Sequence, residues 1–190
     1  MQVDVNTGWL EGVAVCASPF YGPRPLGVLP SLLVIHGISL PAGQFGGPYV
    51  KALFTGALDT DGDPRFHELA GLRVSAHLLV DRLGSVTQFV SLAERAWHAG
   101  QSAFEGQVEC NDFSIGVELE GSDTTPYTDA QYDTLRWLVP ALRVAYPAIT
   151  ARRVVGHCHI APGRKTDPGA SFDWLRLAEM TGITPPMGTG

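Results

Sequence analysis

Six histidines are spread over the 190 residues, and two of them stand where a side chain is well placed to do chemistry. His36 follows the apolar run Leu32–Ile35, and His157 follows Val154-Val155-Gly156. Both runs read as buried strands. A strand end that opens into a loop rich in glycine holds a side chain rigidly and leaves room for a ligand. Asp167 follows ten residues after His157, in the polar loop from Ala161 to Gly169. Two imidazoles and one carboxylate are a standard zinc set, with a fourth position open to water. The same spacing also suits two core histidines and an Asp-Pro turn, and spacing alone does not separate these readings.

Lys165 lies two residues before Asp167. In an extended segment the two side chains point the same way, which puts an ammonium beside the candidate metal position; the plainer reading is a solvated loop lysine. Ser114–Glu120 alternates, with Ile115, Val117 and Leu119 on one side and Gly116, Glu118 and Glu120 on the other. That period of two is a strand. If layers cover both of its faces, one carboxylate looks into a cavity and can act as a base. On an edge strand both would sit in water.

The elements that position these residues form a mixed α/β pattern. Ser75–Val80 and Ser85–Val90 read as a hairpin across Asp81–Gly84. Thr128 and Gln131 have the spacing of a capping box, and Tyr132, Leu135, Leu138, Val139 and Leu142 then recur on one helical face. Pro140 is expected to kink or split that helix. A short helix is expected around Tyr49–Phe54, and another over Ser171–Met180 with Trp174 and Leu177 inward. Residues Thr55–Arg65 read as a surface loop and are a candidate to close over a groove. The expected fold is mixed α+β, a central mixed sheet flanked by helices, in one domain over residues 1–190 with Thr184–Gly190 a frayed tail.

Composition narrows the function. At 45% hydrophobic residues the chain is globular, and a net charge of -6 argues against nucleic acid as a partner. No run approaches the ~20 apolar residues that cross a bilayer, so no membrane partner is expected. Met1–Gly12 has neither the basic start nor the apolar centre of a signal peptide. Cys16, Cys110 and Cys158 are too few and too odd for a disulfide framework. A cytoplasmic location is expected.

Longer blocks then carry a resemblance. Ser31–Pro41 around His36, Gly43-Gln44-Phe45-Gly46-Gly47-Pro48, Val74-Ser75-Ala76-His77 and Arg95-Ala96-Trp97-His98-Ala99-Gly100 come first. Cys110–Gly121, Gly156-His157-Cys158 and Lys165-Thr166-Asp167-Pro168-Gly169 follow. In this order, from about Gly8 to Leu177, they resemble the AmpD-type N-acetylmuramoyl-L-alanine amidases, relatives of phage T7 lysozyme and the peptidoglycan-recognition proteins. The resemblance implies a zinc amidase that cuts between (anhydro)muramic acid and L-alanine in soluble muropeptides during cell-wall recycling. By position it implies His36, His157 and Asp167 as zinc ligands and Glu118, rather than Glu120, with Lys165 as catalytic residues. Arg73 resembles the family position that meets a stem-peptide carboxylate, its plainer reading being a surface arginine; Trp97 is a candidate apolar wall for substrate or a core residue, and His98 a candidate groove residue or a buried structural one. The implied partner is a small soluble anhydromuramoyl peptide, met by a monomer. Two alternatives remain: a binding module of the same fold with weak or lost catalysis, and an amidase of intact peptidoglycan.

Three positions depart from the family pattern. Gly37 stands where relatives often carry Asn, Glu109 where they commonly carry Arg, and His159 where they often carry Asp. His159, two residues past His157, shares a face with it if the segment is a strand, which would make it an outer partner or a stray metal contact.

Overall fold

The structure, a computed structural model, describes residues 2–188. Its centre is a six-stranded mixed sheet. From one edge the strands are Val154–Gly156, Leu32–Ile38, Ser114–Glu120, Leu78–Val80, Val86–Gln88 and Ala14–Val15. The first four run parallel to their neighbours, Leu78–Val80 and Val86–Gln88 form the expected hairpin, and Ala14–Val15 is parallel to Val86–Gln88. The expected mixed sheet with helices is therefore present.

The two faces follow from the alternation in the central strands. Leu33, Ile35, Ile115, Val117 and Leu119 pack with Tyr132, Leu135, Leu138, Val139 and Leu142 of helix Asp129–Ala145 and with Leu177 of helix Trp174–Thr181. The opposite face carries Leu32 and Val34 in one apolar cluster, while Val50, Leu53 and Phe54 of helix Tyr49–Thr55 cover its far part with Leu79 and Phe89. His36, Glu118 and Glu120 belong to this second face. Ser114–Glu120 is a central strand buried at every residue, so the edge-strand reading of its two glutamates does not hold.

Several boundaries differ from the sequence expectation. Leu32–Ile38 continues past Ile35 because it has a pairing strand along its whole length, with His36 opposite Glu118 and Ile38 opposite Glu120. His36 thus sits inside the strand, not beyond it. Helix Asp129–Ala145 runs unbroken through Pro140. A helix-interior proline costs about 3 kcal/mol. Leu138, Val139 and Leu142, all fully buried, each return roughly 1.5–3 kcal/mol by leaving water, so packing outweighs the break. Thr55 ends helix Tyr49–Thr55, and Pro64–Leu69 forms a 3-10 turn capped by Asp63, so the expected loop is confined to the residues between them. Of the expected frayed tail, Thr184 is tied by its N–H to the Ala151 carbonyl at 2.8 Å, and Ile183 before it is buried; Thr189 and Gly190 lie outside the described residues.

The capping box is present and does more than start a helix. Gln131 Oε1 accepts the Thr128 N–H at 3.0 Å. Its amide nitrogen donates to the carbonyls of Glu120 at 2.9 Å and Val80 at 3.3 Å. One buried side chain therefore fixes the helix start to the carboxyl ends of two strands. Gln131→Ala removes both donations and the cap acceptor and should cost about 2–3 kcal/mol, read as a lower urea midpoint with an unchanged m-value.

Candidate metal centre and active site

Strand register builds the site. In parallel strands, directly opposed residues point to the same face. Glu118 is opposite His36, and Gly156 is opposite Ile35 on the other side. The residue after Gly156 is His157, so three neighbouring strands present His157, His36 and Glu118 side by side at their carboxyl ends. Such an end of a parallel sheet is where open α/β folds hold ligands. His157 begins a single helical turn, His157–Ile160, and the chain then loops back to Asp167. The Cys158 N–H donates to the Asp167 carbonyl at 2.9 Å, which closes that loop onto the turn.

Three ligand atoms converge. His36 Nδ1 lies 3.0 Å from His157 Nδ1 and 3.2 Å from Asp167 Oδ2, and His157 Nδ1 lies 3.1 Å from the same oxygen. A tetrahedral ion with bonds of about 2.0–2.1 Å sets its ligand atoms roughly 3.3 Å apart. The triangle is thus the size of one tetrahedral face. His157 Nε2 is 3.1 Å from the Ala99 carbonyl, which can only accept, so in the neutral ring that nitrogen carries the proton and Nδ1 presents a lone pair. His36 is buried, which pushes its pKa down to about 4 and keeps the ring neutral. Burial works against ionisation of Asp167; whenever a ring carries its proton on Nδ1 instead, the hydrogen bond it donates outweighs burial and holds the carboxyl below its usual range. Two neutral imidazoles and a carboxylate that share one small space are the donor set a divalent cation takes. Among the described residues, His36, His157 and Asp167 form a possible metal-binding group.

Glu118 borders the same cavity, of about 220 Å³, with Trp97, His98 and Lys165. Its Oε2 is buried without a hydrogen-bond partner. Burial raises its pKa well above the usual value; the negative charge of Asp167 adds to that, and Lys165 opposes it. Glu120 is occupied elsewhere: its carboxylate accepts the Gly46 N–H at 3.0 Å and anchors the glycine-rich loop. Of the two glutamates on this strand face, Glu118 is the one that lines the cavity. Lys165 sits in an exposed loop segment, and Trp97 is half-buried with its ring stacked on Phe20. Arg73 is exposed and lines a neighbouring 170 Å³ cavity, which shares Leu53 and Leu72 with the first. In the other direction a groove of about 580 Å³ shares Gly37, Ile38, Lys165 and Asp167 with the central cavity.

The departures now have places. His159 lies on the helical turn, not a strand, and its Nδ1 accepts the Gly156 N–H at 2.9 Å. It caps the turn as a carboxylate would and does not join the ligand triangle. Glu109 is largely exposed and reaches Arg95 at 3.4 Å. A Cβ on Gly37 would fall 2.3 Å from the Tyr127 hydroxyl, which donates to the Pro168 carbonyl; in this packing the backbone must stay bare.

Residues 27–170 match the N-acetylmuramoyl-L-alanine amidase family. The chain belongs to that family. The 1,6-anhydro-N-acetylmuramyl-L-alanine amidase AmpD of Citrobacter freundii is 54% identical over 181 residues, 95% of each chain. A crystal structure of a selenomethionine AmpD derivative superposes with a TM-score of 0.91 at 54% identity, covering 95% of this chain and 99% of that one. The amidase AmiD of Escherichia coli, solved with its substrate anhydro-N-acetylmuramic acid-L-Ala-D-γ-Glu-L-Lys, superposes at 0.60 with 31% identity over 84% of this chain and 61% of that one.

Sequence reasoning missed the groups that brace the site. Arg24 is far from it in sequence, yet its guanidinium donates to the carbonyls of Asp112 at 2.9 Å, Ser114 at 2.9 Å and Leu92 at 3.1 Å. Asn111 Oδ1 accepts the N–H groups of His98 and Ala99. Nothing local in the sequence marks Arg24, whose partners are backbone carbonyls and the His77 ring, whose Nε2 lies 3.2 Å from Nη2. His77 is fully buried beside it, and burial first, then the Arg24 charge, push its pKa down to about 3. The unfolded chain binds that proton below its usual value of 6.5 and the folded chain does not until about 3, so stability is lost as the pH is lowered through this window. In the metal-free protein, His77→Gln should flatten the fall by one proton, about 1.4 kcal/mol per pH unit below 6.5, measured by urea unfolding at pH 7 and pH 5.

Proposed function

We propose that this chain is a zinc-dependent N-acetylmuramoyl-L-alanine amidase that hydrolyses the amide between anhydro-N-acetylmuramic acid and L-alanine in soluble muropeptides. The observation that carries it is the triangle of His36 Nδ1, His157 Nδ1 and Asp167 Oδ2, with sides of 3.0–3.2 Å, beside an unpartnered buried carboxylate. The names of the AmpD relatives, 54% identical, support the substrate class. Zinc bound by these three residues supplies a Lewis acid that brings the pKa of a water to about 7.

The chain's own groups do the rest. Glu118 Oε2 takes a proton from the attacking water and returns it to the departing L-alanine nitrogen. Ionisation of Glu118 is opposed first by burial and then by the Asp167 charge, and favoured by Lys165; a cation held by His36, His157 and Asp167 would offset the Asp167 charge and so favour the carboxylate form that acts as a base. The Lys165 ammonium, on the rim of the cavity, stabilises the negative charge that develops on the lactyl oxygen. The groove continuing past Gly37 and Lys165 has the size of a site for a sugar linked to a short peptide. Trp97 supplies an apolar wall, Arg73 meets a stem-peptide carboxylate from the neighbouring cavity, and His98 borders the reacting end. The chain acts as one domain and as a monomer, in the cytoplasm, within cell-wall recycling. Among the described residues no helix is long and apolar enough to cross a membrane.

Purified protein should contain about one zinc per chain and release the peptide from an anhydromuramoyl tripeptide, and a chelator should stop the release. Bound zinc without release would favour a binding module, and an equal rate on insoluble sacculi would favour an amidase of intact peptidoglycan. Glu118→Gln should lower kcat by about 10²–10⁴-fold with zinc retained. Lys165→Ala should lower it by about a hundredfold or more, near 3 kcal/mol, again with zinc bound, as read by metal analysis beside the rate.

A further inference from the structure

His98 sits behind His36, on the side away from the ligand triangle. Its Nδ1 is 2.9 Å from His36 Nε2, and its own Nε2 is 3.2 Å from Ser114 Oγ. The two rings meet edge to face with centroids 4.9 Å apart. Protein groups fix this ring on the sides that do not border the cavity. The His98 N–H donates to Asn111 Oδ1 at 3.1 Å, the His77 ring packs against it at 5.6 Å, and Gly116 leaves the space it fills. A Cβ at Gly116 would lie 2.5 Å from His98 Cγ.

An imidazole that binds a metal through Nδ1 must carry its proton on Nε2, and that proton needs an acceptor in a buried site. For His157 the acceptor is the Ala99 carbonyl at 3.1 Å, nearer than the Arg164 Nη2 at 3.4 Å, and it favours the Nε2–H tautomer. For His36, among the described residues, the hydrogen-bonding neighbour of that nitrogen is another imidazole, and an imidazole can either donate or accept. The Ser114 hydroxyl at the far end can also do either. Two proton arrangements are therefore open to the chain Ser114–His98–His36. In one, the hydroxyl donates to His98, His98 donates to His36, and the His36 proton blocks Nδ1. In the other, His36 Nε2–H donates to His98 Nδ1, His98 Nε2–H donates to Ser114 Oγ, and His36 Nδ1 faces the triangle with a lone pair.

We propose that His98 is a positioning residue for the metal centre: it accepts the His36 Nε2 proton, passes the direction of donation to Ser114, and so holds His36 in the tautomer that binds the ion. This rests on the zinc reading above. It gives His98 a task distinct from substrate contact, since both ring nitrogens are used within the protein. It also assigns Gly116 a reason: any side chain there displaces the ring that orients His36.

The test is zinc affinity, measured by competition with a chromophoric chelator, beside the melting temperature of the metal-free protein. His98→Phe keeps the ring's bulk and removes the acceptor. It should weaken zinc binding about 10–100-fold while the metal-free melting temperature changes little. His98→Asn places an amide oxygen near the Nδ1 position and should recover most of the affinity. The zinc-loaded parent supplies a readout that needs no variant: two-dimensional NMR of the histidine nitrogens should show His36 protonated on Nε2 and His98 protonated on Nε2. Unchanged affinity in His98→Phe, or a His36 Nε2 without a proton in the loaded parent, would overturn the proposal. A parent that binds no zinc at all would instead overturn the metal reading on which it stands.

Discussion

Three electron-rich atoms pressed together from opposite ends of the chain are the constraint on which the rest of the structure turns. His36, His157 and Asp167 bring two lone pairs and a carboxylate oxygen to within 3.0–3.2 Å of each other, with only 17% of the Asp167 side chain exposed to water. Such a set is unfavourable by itself, because burial penalises the charge and the lone pairs repel. It becomes favourable when a proton or a cation sits among them. The sheet pins His36 and the strand that leads into His157, the Cys158–Asp167 backbone bond fixes the return loop, and Arg24, Asn111 and the Ala99 carbonyl hold the outer ring nitrogens and the nearby backbone.

Catalytic capacity then depends on what the same register places alongside. Glu118 comes next to His36 because their strands pair in parallel without a slip. A shift by one residue would turn Glu118 into the apolar face packed on helix Asp129–Ala145 and bring Val117 or Leu119 to the cavity. The same alternation sends Glu120 to the loop at Gly46, so two glutamates on one face acquire different tasks: one fastens a loop, and the other stays unpartnered beside the ligand atoms.

Much of this was legible in the sequence, and the limits are physical. Alternation in Ser114–Glu120 and the capping box at Thr128 gave the correct elements, because both depend on local periodicity and local hydrogen bonds. The family blocks include the three side chains that converge, His36, His157 and Asp167. The end of the His36 strand was not legible, since its last residues are held by a neighbouring strand and not by their own apolar character. Neither was the passage of the helix through Pro140, where burial decides against a local rule. His159 was misplaced for the same kind of reason: the chain turns into a helix at His157, which breaks the period of two. Arg24 and the Ser114–His98–His36 chain left no local trace, because their partners are backbone carbonyls and rings brought together only by the fold.

The most direct measurement is anomalous diffraction at the zinc edge from crystals of the metal-loaded protein. Convergence on one ion requires a single strong peak about 2.0–2.2 Å from His36 Nδ1, His157 Nδ1 and an Asp167 carboxylate oxygen. A peak bound by other side chains, or these three atoms standing too far apart to share an ion, would contradict it.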